Sequence, residues 1–258
     1  MGALLTAPPP PPPLPKTAQD LRPGISPADP ARMLMIGDSL ADGFGMLLVR
    51  RAAARGLPAT VTNRGRVSTG LSRADFYDWP ARFAAMADQL DPDVVVAHFG
   101  ANDMQGVIAP EGRTPYGSED WEAAYRAQIR KILKVAAERD IVLYWIGPGP
   151  DGNRGLNAHL ARINPWIAEE AERAGAVYFP ITPFTAPPDG RFARTVNVGG
   201  RAMAMRTSDG SHFTIGGYEL VADRILDALT DRFEQLRPAT YAQDDGQPAS
   251  RFALAILQ

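Results

Sequence analysis

The sequence contains no cysteine among its 258 residues. This absence excludes disulfide bonds, catalysis by a thiolate and zinc sites built from cysteine ligands. It does not distinguish a reducing from an oxidising compartment, because proteins of either compartment can lack cysteine. Histidine is scarce as well, with only three copies. Any catalytic site must therefore be built from few candidates.

The chain also lacks an excess of either charge and a long apolar run. Its formal net charge is -2 and its pI is near 5.9, which gives no positive field to attract nucleic acid. No stretch of about 18 apolar residues is present to span a bilayer. With 45% hydrophobic residues, the composition is that of a globular protein with one sizeable core. We expect one domain, no nucleic-acid partner and no membrane span in this chain, and the composition defines no oligomeric state.

Residues 1–32 differ in composition from the rest of the chain. They contain the run Pro8 to Pro13 and further prolines up to Pro30, which favour extended polyproline II over a helix or a sheet strand. We interpret this segment as a Pro-rich tether, and a docking site for a proline-recognising module is the alternative. No signal peptide is recognised in it, because its apolar start is too short.

Residues 33–237 are expected to form the domain, since strand-like apolar runs alternate there with helix-like amphipathic segments. Strands are predicted at residues 33–36, 60–62, 93–99, 141–146 and 177–180, and helices at residues 40–55, 80–90, 119–139, 156–174 and 215–236. This alternation predicts a doubly wound parallel sheet of five strands with helices on both faces, a flavodoxin-like three-layer α/β sandwich. Residues 238–258 form a tail whose apolar end packs either on the domain or on a partner.

Ser39 follows the first predicted strand, in the stretch Gly37-Asp38-Ser39-Leu40. Open α/β sheets bind ligands at the carboxyl ends of their strands, so a serine at this point is a candidate nucleophile. Its hydroxyl needs a base within reach, a third group that orients the base, and donors for an oxyanion. The alternative is that Asp38 or Ser39 only caps the following helix.

His212 is the best candidate for the base. It lies in a polar segment before the last predicted helix, and Asp209 three residues earlier can reach its other ring nitrogen through a local turn. The alternative is a helix-entry loop in which Asp209 serves as a cap. We expect His98 to be buried in its strand and His159 to face solvent.

Two loops can supply donors to an oxyanion. Asn102 follows the third predicted strand, where its side-chain amide can point toward the nucleophile. Gly70, in a glycine-rich turn after the second strand, can offer a backbone N–H, and the amide of Ser39 is a third donor. Either residue can instead be an ordinary turn residue. However, these fragments and the Asp209–His212 segment all fall at one edge of the predicted sheet.

Together these segments resemble the sequence blocks of the SGNH hydrolases, also called GDSL-type esterases and lipases. The blocks are residues 37–40 with Ser39, the turn with Gly70, residues 100–103 with Asn102, and residues 209–212 with Asp209 and His212. The resemblance covers residues 33–236 and implies a triad of Ser39, Asp209 and His212. It also implies an oxyanion hole made by Ser39, Gly70 and Asn102, although Gly70 follows Arg-Val-Ser-Thr where the family commonly has a Gly-Gly pair. The Gly-x-Ser-x-Gly elbow of the α/β-hydrolases does not fit, because Leu40 and Ala41 follow Ser39.

The resemblance implies an enzyme that acts on esters through an acyl-enzyme on Ser39, without a metal or another cofactor. We expect a serine esterase or O-acyltransferase that acts on acyl groups of a glycan in the periplasm or elsewhere outside the cytoplasm, and a cytoplasmic location is the alternative. The alternative functions are a small-ester carboxylesterase or lipase, and a catalytically silent binding module recruited through the Pro-rich arm.

Residues 190–206 contain four arginines and no acidic residue. We predict that Arg201 and Arg206 line the cleft beside His212 and bind an anionic or polyhydroxylated substrate through forked hydrogen bonds. A solvated loop is the alternative. Three aromatic residues are candidates for stacking on a sugar or for packing in the domain: Trp79, Tyr116 and Trp121.

Overall fold

The computed structural model describes residues 13–238 and contains nine strands and six α-helices in that range. In chain order the elements are β1 (Ala31–Gly37), α1 (Ser39–Ala54), β2 (Ala59–Asn63), α2 (Trp79–Leu90), β3 (Val94–His98), β4 (Val107–Ala109), β5 (Gly112–Thr114), α3 (Trp121–Ala137), β6 (Val142–Gly147), α4 (Arg154–Ala174), β7 (Val177–Pro180), α5 (Thr182–Thr185), β8 (Thr195–Val198), β9 (Arg201–Ala204) and α6 (Ile215–Arg232), followed by a 3₁₀ turn at Glu234–Leu236.

Five strands form the central sheet in the order β2-β1-β3-β6-β7, and every neighbouring pair is parallel. β1 lies beside β3, with Gly37 opposite His98. The loops that follow these strands therefore leave the same edge of the sheet. The predicted doubly wound, five-stranded α/β fold is confirmed. No helix within residues 13–238 is long and apolar enough to cross a membrane.

The two faces of the sheet carry separate apolar cores. Met33 and Met35 of β1 pack in one core with α1 and α6, whereas Leu34 and Ile36 pack in the other with α2, α3 and α4. These four side chains are at most 2% exposed. Because both faces are covered, residues 33–36 of β1 are a continuous apolar run without the alternation of a half-exposed strand. Burial on both sides holds the carboxyl end of β1, and hence Ser39, in a defined place.

Two short antiparallel hairpins were absent from the sequence prediction. β4 pairs with β5, and β8 pairs with β9 within the segment considered as a solvated loop. The β8–β9 hairpin turns at Gly199 and Gly200, which both have positive φ. Glycine pairs are typical of two-residue hairpin turns, so a signal was present. The strands themselves are only four residues long and mostly exposed, which gave no apolar pattern to detect.

The expected boundary between tether and domain at residue 33 needs correction. β1 begins at Ala31, and the preceding segment already contacts the domain: Thr17, Leu21 and Ile25 are at most 9% exposed. The Thr17 amide donates to the Ala174 carbonyl at 2.9 Å, so the segment crosses the amino-terminal edge of the sheet. Its apolar side chains, spaced between prolines, explain this packing. Most of the proline run and the tail beyond residue 238 lie outside the described residues, so their roles stay predictions.

Candidate active site

Ser39 lies at the junction between β1 and α1. The preceding Gly37 has φ 136°, and a Cβ there would lie 1.8 Å from the His98 carbonyl oxygen, so only glycine fits this exit from the strand. Asp38 caps α1, because its carboxylate accepts hydrogen bonds from the amides of Leu40 at 2.9 Å and Ala41 at 3.3 Å. The capping alternative thus holds for Asp38, and it leaves the Ser39 hydroxyl available for another partner.

The partner of the Ser39 hydroxyl is His212. Ser39 Oγ lies 2.9 Å from His212 Nε2, and His212 Nδ1 lies 2.7 Å from Asp209 Oδ2. Ser39 and His212 are 173 positions apart in sequence, so this contact depends on the whole fold. A hydroxyl, an imidazole and a carboxylate in this order are the geometry needed for a base-activated serine nucleophile.

Asp209 is held in its ionised form. Desolvation by itself would raise its pKa, but hydrogen bonds from His212, Thr207 and the backbone outweigh it and hold the pKa of this carboxyl well below its usual range. Oδ1 accepts from Thr207 Oγ1 at 2.7 Å and from the amides of Ser211 and His212 at 2.8 and 3.0 Å. The ionised Oδ2 favours the tautomer of His212 with its proton on Nδ1, so Nε2 can accept the serine proton. We call residues 207–212 the acid–base loop.

Asn102 follows β3 and is oriented by Thr69. Its side-chain Nδ2 donates one hydrogen to the Thr69 carbonyl at 2.9 Å. An amide NH₂ carries two hydrogens, so the second remains available to an oxyanion. The Thr69 side chain is itself held, since its Oγ1 donates to the Arg66 carbonyl at 2.6 Å and accepts from Trp79 Nε1 at 2.9 Å. Sequence reasoning missed Thr69, and its only signal was its position directly before Gly70.

Gly70 is placed beside Asn102 by a buried carboxylate. A Cβ at Gly70 would lie 2.3 Å from Asp103 Oδ1, so glycine is required here by close packing. Asp103 Oδ1 also accepts from the Ser72 amide at 2.8 Å, which ties the Gly70 turn to the loop after β3. Within residues 13–238, the amides of Ser39 and Gly70 donate to no other group, so both remain available as oxyanion donors.

Asp103 is a second residue whose role the sequence did not reveal. It is fully buried, and desolvation raises its pKa despite hydrogen bonds from the Ser72 and Leu71 amides and the Tyr125 hydroxyl. Tyr125 Oη donates to Asp103 Oδ2 at 3.0 Å. Asp103 thus joins the two loops that carry Gly70 and Asn102 to helix α3.

The other two histidines do not contact Ser39. His98 is buried as expected, with Nδ1 3.2 Å from Asp38 Oδ1. The prediction that His159 faces solvent is wrong, because His159 is only 2% exposed and its Nδ1 lies 3.2 Å from the Tyr116 hydroxyl. Burial lowers the pKa of His159 to about 4. The sequence showed only that α4 is amphipathic, and it did not show that aromatic residues from another element cover this position.

The two arginines predicted to bind substrate have different surroundings. Arg201 is exposed at the start of β9. Arg206 is only 6% exposed, and its guanidinium donates to the carbonyls of Ser211 and Pro150 and lies 3.6 Å from the centre of the Phe213 ring. This arrangement favours a structural role for Arg206 over the expected substrate binding, because Nη1 and Nη2 already donate to protein carbonyls.

Only one of the three candidate stacking residues is accessible. Trp79 and Trp121 are each 1% exposed and pack in the core, whereas Tyr116 is 40% exposed. Within the described part of the chain, no three acidic or histidine side chains converge into a site that could hold a metal ion.

The family described as protein of unknown function (DUF459) matches residues 32–228 of this chain. No curated protein matches it significantly. Among solved structures, a GDSL-like lipase from Bacteroides thetaiotaomicron is 17% identical with a TM-score of 0.57, and the match covers 78% of this chain and 88% of that one.

Two further structures are similar to this chain. A protein assigned to the G-D-S-L family from Desulfitobacterium hafniense is 16% identical with a TM-score of 0.56, covering 76% of this chain and 97% of that one. The psychrotrophic esterase EstA from Pseudoalteromonas is 14% identical with a TM-score of 0.52, covering 78% of this chain and 97% of that one. At identities of 14–17% the likeness establishes the fold. The resemblance to the SGNH hydrolases is therefore confirmed for the fold.

Proposed function

The chain belongs to the family described as protein of unknown function (DUF459), and we propose that it is a serine esterase that forms an acyl-enzyme on Ser39. The observation that carries this proposal is the chain of contacts from Ser39 Oγ to His212 Nε2 at 2.9 Å and from His212 Nδ1 to Asp209 Oδ2 at 2.7 Å. The names of the similar structures, a GDSL-like lipase and an esterase, support the same reaction class.

The residues divide the reaction between them. His212 Nε2 takes the proton of Ser39 as Oγ attacks the ester carbonyl, while the ionised Asp209 stabilises the imidazolium that forms. The amides of Ser39 and Gly70 and the free hydrogen of Asn102 Nδ2 stabilise the oxyanion. His212 then gives its proton to the leaving alkoxide. Water, or a sugar hydroxyl, attacks the acyl-enzyme in the second half-reaction and releases the acid or the acylated product.

For the substrate, we propose O-acyl groups of a glycan outside the cytoplasm, removed or transferred by this site. The exposed Arg201 and the 40% exposed Tyr116 support this class, because a guanidinium and an aromatic face are suited to hydroxyl-rich ligands. The Pro-rich segment supports the location, since a stiff spacer is useful between an anchor or export signal and a catalytic domain. Fractionation of source cells, followed by immunodetection, tests the location.

The substrate test uses the purified protein with p-nitrophenyl esters from acetyl to palmitoyl and with acetylated or succinylated glycans. Released acid and acylated sugar are followed by mass spectrometry. We expect cleavage of short esters together with deacylation or acylation of at least one glycan. A preference for palmitoyl esters with no reaction on any glycan would contradict the glycan proposal and leave the esterase proposal intact.

One observation favours the alternative of a carboxylesterase or lipase for apolar esters. Val67, Met104 and Ile215 are 61%, 45% and 66% exposed, and each lies within three positions of a residue of the site or of Asp103. Exposed apolar side chains near a site favour contact with an apolar acyl chain. In the same ester series, a rise in kcat/KM from acetyl to octanoyl that is reduced by Met104→Ser would support this alternative.

A reagent that reacts with the nucleophile separates an enzyme from a silent binding module. The Pseudoalteromonas esterase is described in a form inhibited by monoethylphosphonate. We expect an activated ethylphosphonate ester to label this chain on the peptide that contains Ser39, and Ser39→Ala to abolish the label. Absence of labelling under conditions that label a control esterase would favour the binding module recruited through its Pro-rich arm.

A further inference from the structure

The acid–base loop is half-exposed, so apolar burial alone does not hold its geometry. The side chains of Asp209 and His212 are 51% and 43% exposed. Inside the loop, the Thr207 amide donates to the His212 carbonyl at 2.9 Å and the Gly210 amide donates to the Thr207 carbonyl at 3.1 Å. These bonds close the loop on itself. They do not determine where the closed loop lies relative to Ser39.

Arg206 connects this loop to the rest of the domain. One guanidinium nitrogen, Nη1, donates to the Ser211 carbonyl, and Nη2 donates to the Pro150 carbonyl at 2.8 Å. Pro150 belongs to the loop after β6, so the planar fork joins two separate loops. The guanidinium also stacks on the ring of Phe213, the residue that follows His212. A neighbouring backbone bond, from Gly152 N to Gly210 O at 3.1 Å, joins the same two loops.

The charged guanidinium of Arg206 donates hydrogen bonds to these protein carbonyls. Within residues 13–238 it forms no ion pair with a carboxylate, and two of its nitrogens, Nη1 and Nη2, donate to protein carbonyls. Desolvation lowers the pKa of Arg206 to about 10, so the guanidinium remains protonated at neutral pH. Hydrogen bonds from a charged group to carbonyls are stronger than neutral ones, and burial strengthens them further.

Arg194 holds the other end of the acid–base loop. It lies just before β8, and its guanidinium donates to the carbonyls of Thr207 and Ser208. Its own carbonyl accepts from the amides of Met205 at 2.7 Å and Arg206 at 3.2 Å. The β8–β9 hairpin thus brings both arginines to the loop, and Arg194 is the more exposed of the two.

We propose that Arg206, assisted by Arg194, is a positioning residue that holds the acid–base loop so that His212 stays within hydrogen-bonding distance of Ser39. This inference rests on the proposed esterase function for its kinetic consequence, but its structural consequence is independent of activity. Arginine is required because one planar group must donate to two carbonyls from different loops, which the single ammonium of lysine reproduces only in part.

The kinetic test compares Arg206→Met, Arg206→Lys and the control Arg224→Met, which removes an exposed arginine of α6. With p-nitrophenyl acetate, we expect Arg206→Met to lower kcat by about 10²-fold, the effect of a small misplacement of a catalytic group, with KM nearly unchanged. Arg206→Lys should recover part of the loss, and Arg224→Met should behave as wild type. A raised KM with unchanged kcat for Arg206→Met would overturn the proposal in favour of substrate binding, and wild-type kinetics would also overturn it.

A spectroscopic test separates this inference from the esterase proposal. A proton shared between His212 Nδ1 and Asp209 is expected to give a low-field ¹H NMR resonance, assigned by its loss in His212→Gln. We expect this resonance to weaken or disappear in Arg206→Met and to remain in Ser39→Ala and Arg224→Met. If wild type proves inactive on every ester, the NMR comparison still tests whether Arg206 positions the acid–base loop. An unchanged resonance in Arg206→Met would contradict the proposal. If Arg206→Met does not fold, as judged by circular dichroism, Arg206→Lys is measured instead and the same outcomes apply to it.

Discussion

The two halves of the candidate site are held by different interactions. On the oxyanion side, Thr69, Ser72 and Asp103 are at most 1% exposed; Thr69 orients Asn102 by a hydrogen bond, and Asp103 packs against Gly70. On the acid–base side, Asp209 and His212 lie in a half-exposed loop that depends on its own hydrogen bonds and on two arginines. Ser39 lies between the two halves, at the end of a strand that is covered on both faces.

This difference determines which property a substitution should affect. Breaking a buried hydrogen bond leaves a desolvated donor or acceptor, so changes in the oxyanion half should reduce both stability and catalysis. Groups in the acid–base loop regain water when they lose a partner, so changes there should reduce catalysis with little loss of stability. The predictions below run from the largest expected effect to the smallest.

Ser39→Ala removes the group that both halves serve. We expect kcat for p-nitrophenyl acetate to fall by about 10⁴ to 10⁶, since no other group can form the acyl-enzyme. The melting temperature should change little, because the hydroxyl is only partly buried. Equal turnover by the variant and wild type would exclude Ser39 as the nucleophile.

Asn102→Ala tests the oxyanion half. The change should lower kcat by about 10² to 10³ with little change in KM, because the donated hydrogen stabilises charge that develops mainly in the transition state. Steady-state kinetics on a small ester measures this effect. Asn102→Asp is a useful control, since it keeps the size of the side chain but replaces the donor with an acceptor, and it should not recover activity. Wild-type kcat in Asn102→Ala would remove this residue from the site.

A matched pair of threonines compares the stability of the two halves directly. Thr69→Val leaves the buried Trp79 Nε1–H without its acceptor and should cost about 1–3 kcal/mol of unfolding free energy. Thr207→Val removes a hydrogen bond to the exposed Asp209 and should cost at most about 1 kcal/mol. Urea unfolding of both variants at pH 7 provides the measurement. Equal losses would mean that burial does not distinguish the two halves.

The last prediction concerns the pH dependence of stability and the buried His159 of α4. Its pKa is lowered from 6.5 to about 4, so the folded protein keeps it neutral while the unfolded chain binds a proton below pH 6.5. The stability that this histidine contributes is therefore present above pH 6.5 and is lost as pH falls toward 4. Between pH 7 and pH 5 the loss should be about 2 kcal/mol.

Urea unfolding of wild type and His159→Gln at the two pH values tests this expectation. Other groups that titrate in this range contribute to both proteins, so the difference between them isolates His159. We expect wild type to lose more stability than the variant. The same decrease in both proteins would show that His159 is protonated in the folded state or is accessible to solvent.

Much of the fold was predictable because the required signals are local. The five central strands are short apolar runs bounded by turn residues, and α4 ends at Gly175 as its sequence predicts. The features that the sequence did not predict lack such local signals. The hairpins β4–β5 and β8–β9 have strands of only three or four residues, and Leu21 and Ile25 pack into a core made by elements distant in sequence.

For the site, local sequence was informative where two residues are close along the chain. Asp209 and His212 are three positions apart, and the structure joins them by a direct hydrogen bond. The same holds for Gly37 and Ser39, where a strand must turn to present a side chain. The orientation of Asn102 through Thr69 was not predictable, because it joins loops that are 33 positions apart.

The sequence by itself determined the alternation of strands and helices, the turn at Gly37 that presents Ser39, and the local pairing of Asp209 with His212. Only the tertiary structure decided the environment of the long charged and titratable side chains. Arg206 donates to the carbonyl of Pro150, 56 positions away, and His159 is covered by Tyr116 from a different segment. The physical reason is that burial and hydrogen bonding of such groups depend on atoms brought together by the fold, which no local pattern encodes.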